Sequence, residues 1–320
     1  MTRRKLGRSD LSIAPIVFGG NVFGWSADEK TSFTLLDAFL DAGFNAIDTA
    51  DSYSHWVPGN KGGESETIIG RWLKARGRRD DVVIMTKVGS DMGSGKTLKA
   101  DYVMRAAEDS LRRLQTDHID LYQTHFDDLD TAPEETLKAY AKLVAQGKVR
   151  ALGASNVSPE RLTESLALSR KLGIPRYETL QPLYNLYERA GFERDYAGLC
   201  EQEQLGVIPY WALARGFLSG KYRSKADFSK SAARGEGMAR FLDARGSRIL
   251  EALDAAAQRH AAKPAQIALA WLLARPSITA PIVSATNLPQ LDELLKAPGI
   301  RLSGEDVAAL DAASAENSPA

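Results

Sequence analysis

Short apolar runs alternate with longer segments of helical period eight times along this chain of 320 residues. Such alternation is typical of βα units, in which each strand joins a parallel sheet and the following helix covers the sheet's outer face. Eight units is the number that closes such a sheet into a barrel. The pattern therefore predicts an α/β fold, a (β/α)8 TIM barrel. We expect its strands at Ile13–Phe18, Asn45–Asp48, Val82–Lys87, Ile119–Thr124, Val149–Gly153, Thr179–Pro182, Gly206–Trp211 and Ala280–Ser284.

The segments between the predicted strands carry helix start signals. Ser158 and Asn287 are side chains that commonly cap the first turn of a helix, and a proline follows each within two residues. We expect helices at Lys30–Ala42, Glu64–Ala75, Ala100–Leu114, Thr131–Ala145, Pro159–Leu172, Glu193–Glu203, Gly246–Leu273 and Leu288–Lys296.

Two segments depart from the alternation. Lys5–Leu11 contains the turn-forming residues Gly7, Ser9 and Asp10, and it predicts an N-terminal β-hairpin that closes the barrel floor. Gly216–Gly237 is longer than most loops inside a compact domain, which favours a functional clamp or lid. No linker separates folded units, so we expect residues 1–320 to form a single barrel domain.

The composition narrows the class of partner. Lys plus Arg equals Asp plus Glu at 41 each, so no overall field favours nucleic acid or an anionic membrane. The single cysteine, Cys200, excludes an intrachain disulfide and suits a reducing compartment. The sequence shows neither a signal peptide nor a membrane-spanning run. A cytoplasmic protein with a small-molecule partner is the expectation.

Four polar side chains lie at or just beyond the ends of three successive predicted strands. Asp48 ends the second strand and Tyr53 follows it, Lys87 ends the third and His125 follows the fourth. Each of them alone has an ordinary structural explanation, as a turn cap, a packing aromatic, a solvated charge or a core histidine. In a parallel barrel, however, the carboxyl ends of the strands share one rim, where such barrels carry their active sites. We therefore interpret the four as one site.

The chemistry of these four side chains suits a carbonyl group. A phenol has a pKa of about 10, so Tyr53 becomes a useful acid only if a cation such as Lys87 stabilises the phenolate. A partly desolvated Lys87 needs a carboxylate, which Asp48 supplies. His125 can donate a hydrogen bond to an oxygen. Together they can polarise C=O and protonate the developing alkoxide, which leaves a hydride to be supplied. No spacing of His, Cys, Asp and Glu predicts a metal site.

Motifs along nearly the whole chain resemble those of the aldo-keto reductase family. Gly43–Tyr53 is similar to the family's first signature, and Leu111–Leu114 with Asp117–Leu121 and Gln123–His125 is similar to its second. Further matches, in family order, are Gly62–Gly70, Met85–Lys87, Gly153–Asn156, Gln181–Pro182 with Tyr184–Asn185, and Tyr210–Lys221. The short tail from Leu302 resembles the branch that includes potassium-channel β subunits. The resemblance implies the same barrel, and a catalytic tetrad of Asp48, Tyr53, Lys87 and His125 with Tyr53 as the proton donor.

The resemblance also implies an NAD(P)H cofactor, bound in an extended form without a Rossmann fold. Ser155, Asn156 and Gln181 correspond to the residues that hold the nicotinamide amide, and Tyr210 or Trp211 to the aromatic residue that stacks on its ring. Leu213–Lys221 resembles the loop over the pyrophosphate. The full set that we expect to bind the cofactor is Gly20, Asn21, Asp48, Ser155, Asn156, Gln181, Tyr210, Trp211, Ala212, Leu213, Ala214, Gly216, Lys221, Arg223, Ser284, Thr286, Gln290 and Glu293.

The adenosine end of the predicted site departs from the family pattern. Some branches have Lys and Arg where this chain has Ser284 and Gln290, and an Asn commonly stands at the position of Leu294. Arg223, Lys225, Lys230 and Arg234 are nearby cations that could reach a 2′-phosphate. We expect NADPH to be preferred, with NADH possible.

The predicted substrate pocket is open and aromatic. Trp25 follows the first strand and Trp56 follows Tyr53, and both side chains can form walls of the pocket. We expect reduction of aldehydes or ketones, including sugar-type and aromatic aldehydes, to alcohols. Two alternatives are a Schiff-base aldolase that uses Lys87 and a non-catalytic barrel that senses its cofactor.

Overall fold

The computed structural model describes residues 2–93, 95–230 and 235–316. Within them, eight parallel strands form one sheet, and their order in the sheet follows their order in the chain. After the N-terminal strands β1 (Arg4–Lys5) and β2 (Ser12–Ile13), the sheet strands are β3 (Val17–Gly19), β4 (Ala46–Asp48), β5 (Val83–Val88), β6 (Ile119–Thr124), β7 (Val149–Ser155), β8 (Tyr177–Gln181), β9 (Gly206–Val207) and β10 (Ile282–Val283).

The sheet closes on itself. Strand β10 pairs with β3, and the segment before β10 reaches β9 on the other side. There the Thr279 N–H donates to the Val207 carbonyl at 2.8 Å, and the Ile282 N–H donates to the Pro209 carbonyl at 2.9 Å. The predicted TIM barrel is confirmed.

The N-terminal hairpin is also confirmed. Strands β1 and β2 are antiparallel, with Arg4 opposite Ile13. Leu6, Leu11 and Ile13 are buried in the same apolar cluster as Val17 and Met85, inside the barrel. The hairpin therefore closes the amino-terminal end of the barrel and leaves the opposite rim for chemistry.

Helices surround the sheet and bury their apolar faces in a second, larger cluster against it. They are α1 (Glu29–Asp41), α2 (Glu64–Arg76), α3 (Ala100–Leu114), α4 (Pro133–Ala145), α5 (Pro159–Leu172), α6 (Ala190–Asp195), α7 (Ala197–Gln202), α8 (Ala244–Arg259), α9 (Pro264–Leu273), α10 (Leu288–Leu295) and α11 (Gly304–Ser314). The two predicted caps are confirmed, because Ser158 Oγ accepts from the Arg161 N–H and Asn287 Oδ1 accepts from the Gln290 N–H. None of the helices described is both long and apolar enough to span a bilayer.

Two predicted helices are wrong in extent. Gly246–Leu273 is not continuous but forms α8 and α9, because Pro264 lacks an N–H and disfavours helical backbone at the residue before it. Ala261, in the break, adopts a left-handed φ of 49°. The predicted helix Glu193–Glu203 is likewise divided into α6 and α7 at Tyr196.

Three predicted strands are too long, and each contains a proline. Ile13–Phe18 divides at Pro15, so that Ile13 belongs to the hairpin and Val17 to the barrel. Gly206–Trp211 and Ala280–Ser284 shorten to the two-residue strands β9 and β10. Proline cannot donate to a sheet ladder, which limits the regular pairing around it.

The long segment after β9 folds as short 3-10 turns at Ala214–Ser219, Lys225–Lys230 and Glu236–Phe241. Residues 231–234, which include the cation Arg234, lie outside the described residues.

Candidate active site

The four predicted tetrad residues lie together at the carboxyl-terminal rim of three adjacent strands. Asp48 is the last residue of β4, Lys87 lies near the end of β5 and His125 directly follows β6. Tyr53 comes from the turn after β4. Strands β4, β5 and β6 pair in parallel, so their carboxyl ends point the same way and bring these side chains to one place.

Lys87 is at the centre of the group, beneath the surface of the rim. Its Nζ lies 2.6 Å from Asp48 Oδ2, 2.8 Å from the Thr49 carbonyl oxygen and 2.8 Å from the Tyr53 hydroxyl. The side chain has no exposed surface, and burial lowers the pKa of Lys87, although Asp48 opposes that shift. An ammonium group has three N–H donors, and all three have a partner here.

The Asp48 carboxylate is hydrogen-bonded on both oxygens. Oδ2 accepts from Lys87 and, at 3.3 Å, from the Tyr53 hydroxyl. Oδ1 accepts from Gln123 Nε2 at 3.2 Å and from Gln181 Nε2 at 2.9 Å. Since every direction around the carboxylate is occupied, its orientation toward Lys87 is well defined.

The Tyr53 phenol is not made more acidic in this structure. Burial first, and then the charge and hydrogen bond of Asp48, raise the pKa of Tyr53 well above its ordinary value. Lys87 lies close enough to stabilise a phenolate, but desolvation and the charge of Asp48 have a larger effect on the pKa of Tyr53 than Lys87 has. Tyr53 therefore keeps its proton at neutral pH, which is the state that a proton donor requires.

His125 is a neutral imidazole beside the phenol. Burial, and next the charge of Lys87, hold the pKa of His125 well below its usual range. The ring centroids of Tyr53 and His125 are 5.9 Å apart, and His125 Nδ1 lies 2.8 Å from Ser90 Oγ. A neutral ring can donate one hydrogen bond and accept another.

A second polar group lies across the rim, at the ends of β7 and β8. Ser155 Oγ donates to the Gln181 carbonyl at 2.9 Å, and Asn156 Nδ2 donates to Ser155 Oγ at 3.1 Å. The Tyr210 hydroxyl donates to Asn156 Oδ1 at 3.0 Å. These three side chains and the Gln181 backbone carbonyl form a connected set of hydroxyl, amide and carbonyl groups, which are the kinds of donor and acceptor that a carboxamide requires.

A groove of about 950 Å³ runs from the tetrad across the rim. Lys87 lies beneath it. The predicted residues that line it are Asn21, Asp48, Tyr53, Trp56, His125, Ser155, Asn156, Gln181, Tyr210, Trp211, Ala212, Leu213, Gly216, Lys221, Lys230, Ser284, Thr286, Gln290 and Glu293.

Besides Lys87, five predicted residues in the described part of the chain do not line the groove: Gly20, Trp25, Ala214, Arg223 and Lys225. The Gly20 carbonyl accepts from Ser65 Oγ, and Ala214 is buried in the apolar core. The Arg223 guanidinium is held by Asp254 at 2.8 Å and by the Gly220 carbonyl. The Trp25 ring packs edge-on against Trp56, with centroids 5.6 Å apart, and so supports the wall from behind.

Sequence reasoning missed several groove residues. Ser90 and Phe126 follow β5 and β6 closely, so the rule that identified Lys87 and His125 could have identified them as well. Lys263 enters from the start of α9, and no strand-end signal points to it. The missed residues are Gly19, Val22, Ser26, Ser52, Ser90, Phe126, Lys263, Pro264, Ala265, Ile282, Val283 and Leu294.

The outer half of the groove carries two cations, Arg215 and Lys221, that form no salt bridge with the described residues. Arg215 stacks on Trp211, with its guanidinium carbon 3.6 Å from the ring centroid, and its buried Nε has no hydrogen-bond partner among the described residues. Lys221 Nζ lies against Gly216, within 3.9 Å of the position that a Cβ there would take. Gly216 has a φ of 104°, which favours glycine.

The donor set therefore fits a dinucleotide, with amide-recognising groups at one end of the groove and cations over the remainder. In the described part of the chain, His, Cys, Asp and Glu do not gather into any group of three or more that could hold a metal ion.

A parallel barrel with a buried Asp–Lys–Tyr group and a neighbouring histidine at its carboxyl rim defines a carbonyl-reducing class of oxidoreductase. The sequence model described as the Aldo/keto reductase family matches residues 15–315. This chain therefore belongs to the aldo/keto reductase family, whose members generally use nicotinamide cofactors.

Curated proteins agree with this assignment. The chain is 36% identical over 308 residues to "Uncharacterized oxidoreductase YrpG" of Bacillus subtilis, covering 94% of this chain and 92% of that protein. It is 32% identical over 315 residues to "Norsolorinic acid reductase" of Aspergillus flavus, covering 93% and 77%. It is 30% identical over 339 residues to "Protein tas" of Escherichia coli, covering 98% and 97%.

Proposed function

We propose that this protein is an NADPH-dependent reductase of aldehydes and ketones in which Tyr53 is the proton donor. The observation that carries the proposal is the chain of contacts from Asp48 through Lys87 to the Tyr53 hydroxyl, which opens on a groove. Reduction of C=O needs a proton at oxygen, and this chain ends at a group that can give one.

The protein side of the reaction follows from the contacts. Tyr53 and His125 donate hydrogen bonds to the carbonyl oxygen and polarise the C=O bond. As negative charge develops on that oxygen, the Tyr53 proton moves to it, and Lys87 at 2.8 Å stabilises the phenolate that remains. Asp48 keeps Lys87 charged against the effect of burial. A reduced nicotinamide held in the groove would supply the hydride to the carbonyl carbon.

Cofactor binding divides between the two parts of the groove. Ser155, Asn156 and Gln181 would hold the carboxamide, with the Tyr210 ring at the same end. Arg215 and Lys221 would neutralise the pyrophosphate, since charge-assisted hydrogen bonds are the strong ones.

The cationic outer groove favours NADPH over NADH. Lys263 adds a charge to the lining of this groove, which also includes Ser284 and Gln290. A higher catalytic efficiency with NADH than with NADPH for the same aldehyde would contradict this preference.

The substrate side of the groove favours planar, apolar carbonyl compounds. Trp56 is 42% exposed, contacts the Tyr53 ring edge-on at 6.1 Å between centroids, and faces the groove with Phe126. Aromatic walls of this kind bind aromatic aldehydes and ketones, and one relative is named for reduction of norsolorinic acid. We also propose a cytoplasmic location, which the lone, buried Cys200 supports.

The contacts of Lys87 weigh against an aldolase. A Schiff base requires a neutral amine that is free to attack a carbonyl, whereas Lys87 Nζ is fully buried and donates to three oxygens. Borohydride trapping of substrate on Lys87 would reverse this argument.

Tyr53→Phe tests the proposal. We expect kcat for NADPH oxidation with an aromatic aldehyde to fall by about 10²–10⁴-fold, with NADP⁺ affinity unchanged by tryptophan fluorescence. Tyr102→Phe, on α3 and outside the groove, is the matched control and should retain full activity. Unaltered turnover in Tyr53→Phe refutes proton donation by Tyr53. Absence of turnover in the native protein over a panel of aldehydes favours the cofactor sensor.

A further inference from the structure

Ser90 and His125 meet where β5 and β6 end. Ser90 Oγ lies 2.8 Å from His125 Nδ1, and Ser90 is only 5% exposed. The backbone of His125 is held on both sides, because its N–H donates to the Val88 carbonyl at 2.7 Å and its carbonyl accepts from Asn156 Nδ2 at 2.8 Å. The imidazole therefore meets the Ser90 hydroxyl in a defined orientation.

The role of His125 depends on which ring nitrogen carries the hydrogen. A neutral imidazole has one N–H donor and one lone-pair acceptor. Nδ1 faces Ser90, and the described residues provide no hydrogen-bond partner for Nε2 in a side chain that lines the groove. Nε2 is therefore the nitrogen available to a substrate. It can donate to a carbonyl oxygen only if the hydrogen is on Nε2.

The Ser90 hydroxyl selects between the two tautomers. Among the described residues, His125 Nδ1 is the only hydrogen-bond partner of Ser90 Oγ. If the Ser90 O–H donates to Nδ1, both groups are satisfied and the imidazole hydrogen is on Nε2. If Nδ1–H donates to Ser90 Oγ instead, the buried hydroxyl hydrogen has no acceptor in the described residues, which is destabilising.

We propose that Ser90 is a positioning residue that holds His125 in the tautomer with the hydrogen on Nε2, so that the ring donates to the carbonyl oxygen of the substrate. This inference rests on the proposed reductase activity for its purpose, but the tautomer itself is a property of the protein alone. In the other tautomer, Nε2 would present a lone pair to the carbonyl oxygen and repel it.

Nitrogen-15 NMR of histidine-labelled protein measures the tautomer directly. The chain has four histidines, and His125→Gln identifies the signals of His125 by their loss. In the native protein we expect Nδ1 to have a pyridine-like shift and Nε2 a pyrrole-like shift. Ser90→Ala should move both shifts toward a mixture of tautomers, whereas Ser90→Thr, which keeps a hydroxyl, should restore the native values.

Kinetics supply the second readout. Ser90→Ala should lower kcat on the order of tenfold, a fraction of the effect expected for a general acid, and leave NADP⁺ affinity unchanged. Ser90→Thr should recover most of the loss. A native protein with the hydrogen on Nδ1, or a Ser90→Ala variant with native shifts and native kcat, overturns the proposal. If the native protein reduces no carbonyl compound but its shifts still depend on Ser90, the proposed function fails and the tautomer assignment stands.

Discussion

Asp48→Asn tests whether the ion pair at the centre of the site also stabilises the fold. Lys87 Nζ and Asp48 Oδ2 are 2.6 Å apart, and both side chains are at most 1% exposed. Removing one member of a buried pair leaves the other charge uncompensated, which typically costs about 3–5 kcal/mol. The new amide group also meets donors on every side, since Lys87, Tyr53 and two glutamines all donate to this carboxylate.

Loss of the Lys87 proton sets an upper limit to this destabilisation. A lysine with an ordinary pKa of about 10.4 can be neutral at pH 7 at a cost of about 5 kcal/mol, at roughly 1.4 kcal/mol per pKa unit. Burial already lowers the pKa of Lys87, and without Asp48 the shift grows. The unfolded variant then binds more protons than the folded one, so its stability rises with pH. We expect the deficit to shrink by about 1.4 kcal/mol per pH unit between neutrality and pH 9.

Urea unfolding followed by circular dichroism at pH 7 and pH 9 measures the effect. Asp48→Asn should be less stable by about 3–5 kcal/mol at pH 7 and clearly less affected at pH 9. The double variant with Lys87→Met, which removes both charges, should recover most of the loss. A deficit below about 1 kcal/mol at pH 7, or one that is equal at both pH values, would refute the reasoning.

Two other perturbations have defined outcomes. Arg215→Gln removes the cation stacked on Trp211 and should weaken NADP⁺ binding about tenfold or more, without changing the aldehyde KM at saturating cofactor. Fluorescence titration measures the NADP⁺ affinity, with Arg215→Lys as the control. Native affinity in Arg215→Gln would count against a cofactor role for Arg215. The pKa of Asp306 is lowered mainly by its hydrogen bond to His260. Asp306 also helps to cap α11, because its Oδ2 accepts from the Ser303 N–H. Asp306→Asn should lower the free energy of unfolding by about 1–2 kcal/mol at neutral pH. A carboxyl group whose pKa is lower in the folded state stabilises the fold at pH values above its unfolded pKa of about 4 and loses that effect as the pH falls further. The deficit of the variant should therefore shrink in buffers more acidic than about pH 4. Thermal unfolding at neutral and acidic pH measures this, and a deficit independent of pH would contradict it.

Much of the fold follows from local patterns. The alternation of apolar runs and helical segments predicts the barrel, because each run is buried on both faces between the barrel interior and a helix layer. The element boundaries were less accurate wherever a proline lay inside an apolar run. Pro15, Pro209 and Pro281 each shorten a predicted strand, and Pro264 divides a predicted helix.

Part of the candidate site was predictable from the positions of residues at the ends of strands. Residues at the ends of parallel strands converge whatever the details of packing, so Asp48, Lys87 and His125 could be grouped from their positions. Arg223 could not be excluded from the groove, because its partner Asp254 lies on α8, far away in the chain. Lys263 reaches the groove from the start of a helix, which no strand-end rule covers.

The order of strands and helices, and the types of side chain at the rim, were determined by the amino-acid sequence, since periodicity and motif are local properties. Only the tertiary structure decided how deeply each group is buried and what it contacts. Tyr53 shows the difference: its motif indicates an acid, but desolvation by the surrounding barrel and the charge of Asp48 raise its pKa. Electrostatic environment depends on every neighbour at once, and those neighbours come from strands that are distant in the sequence.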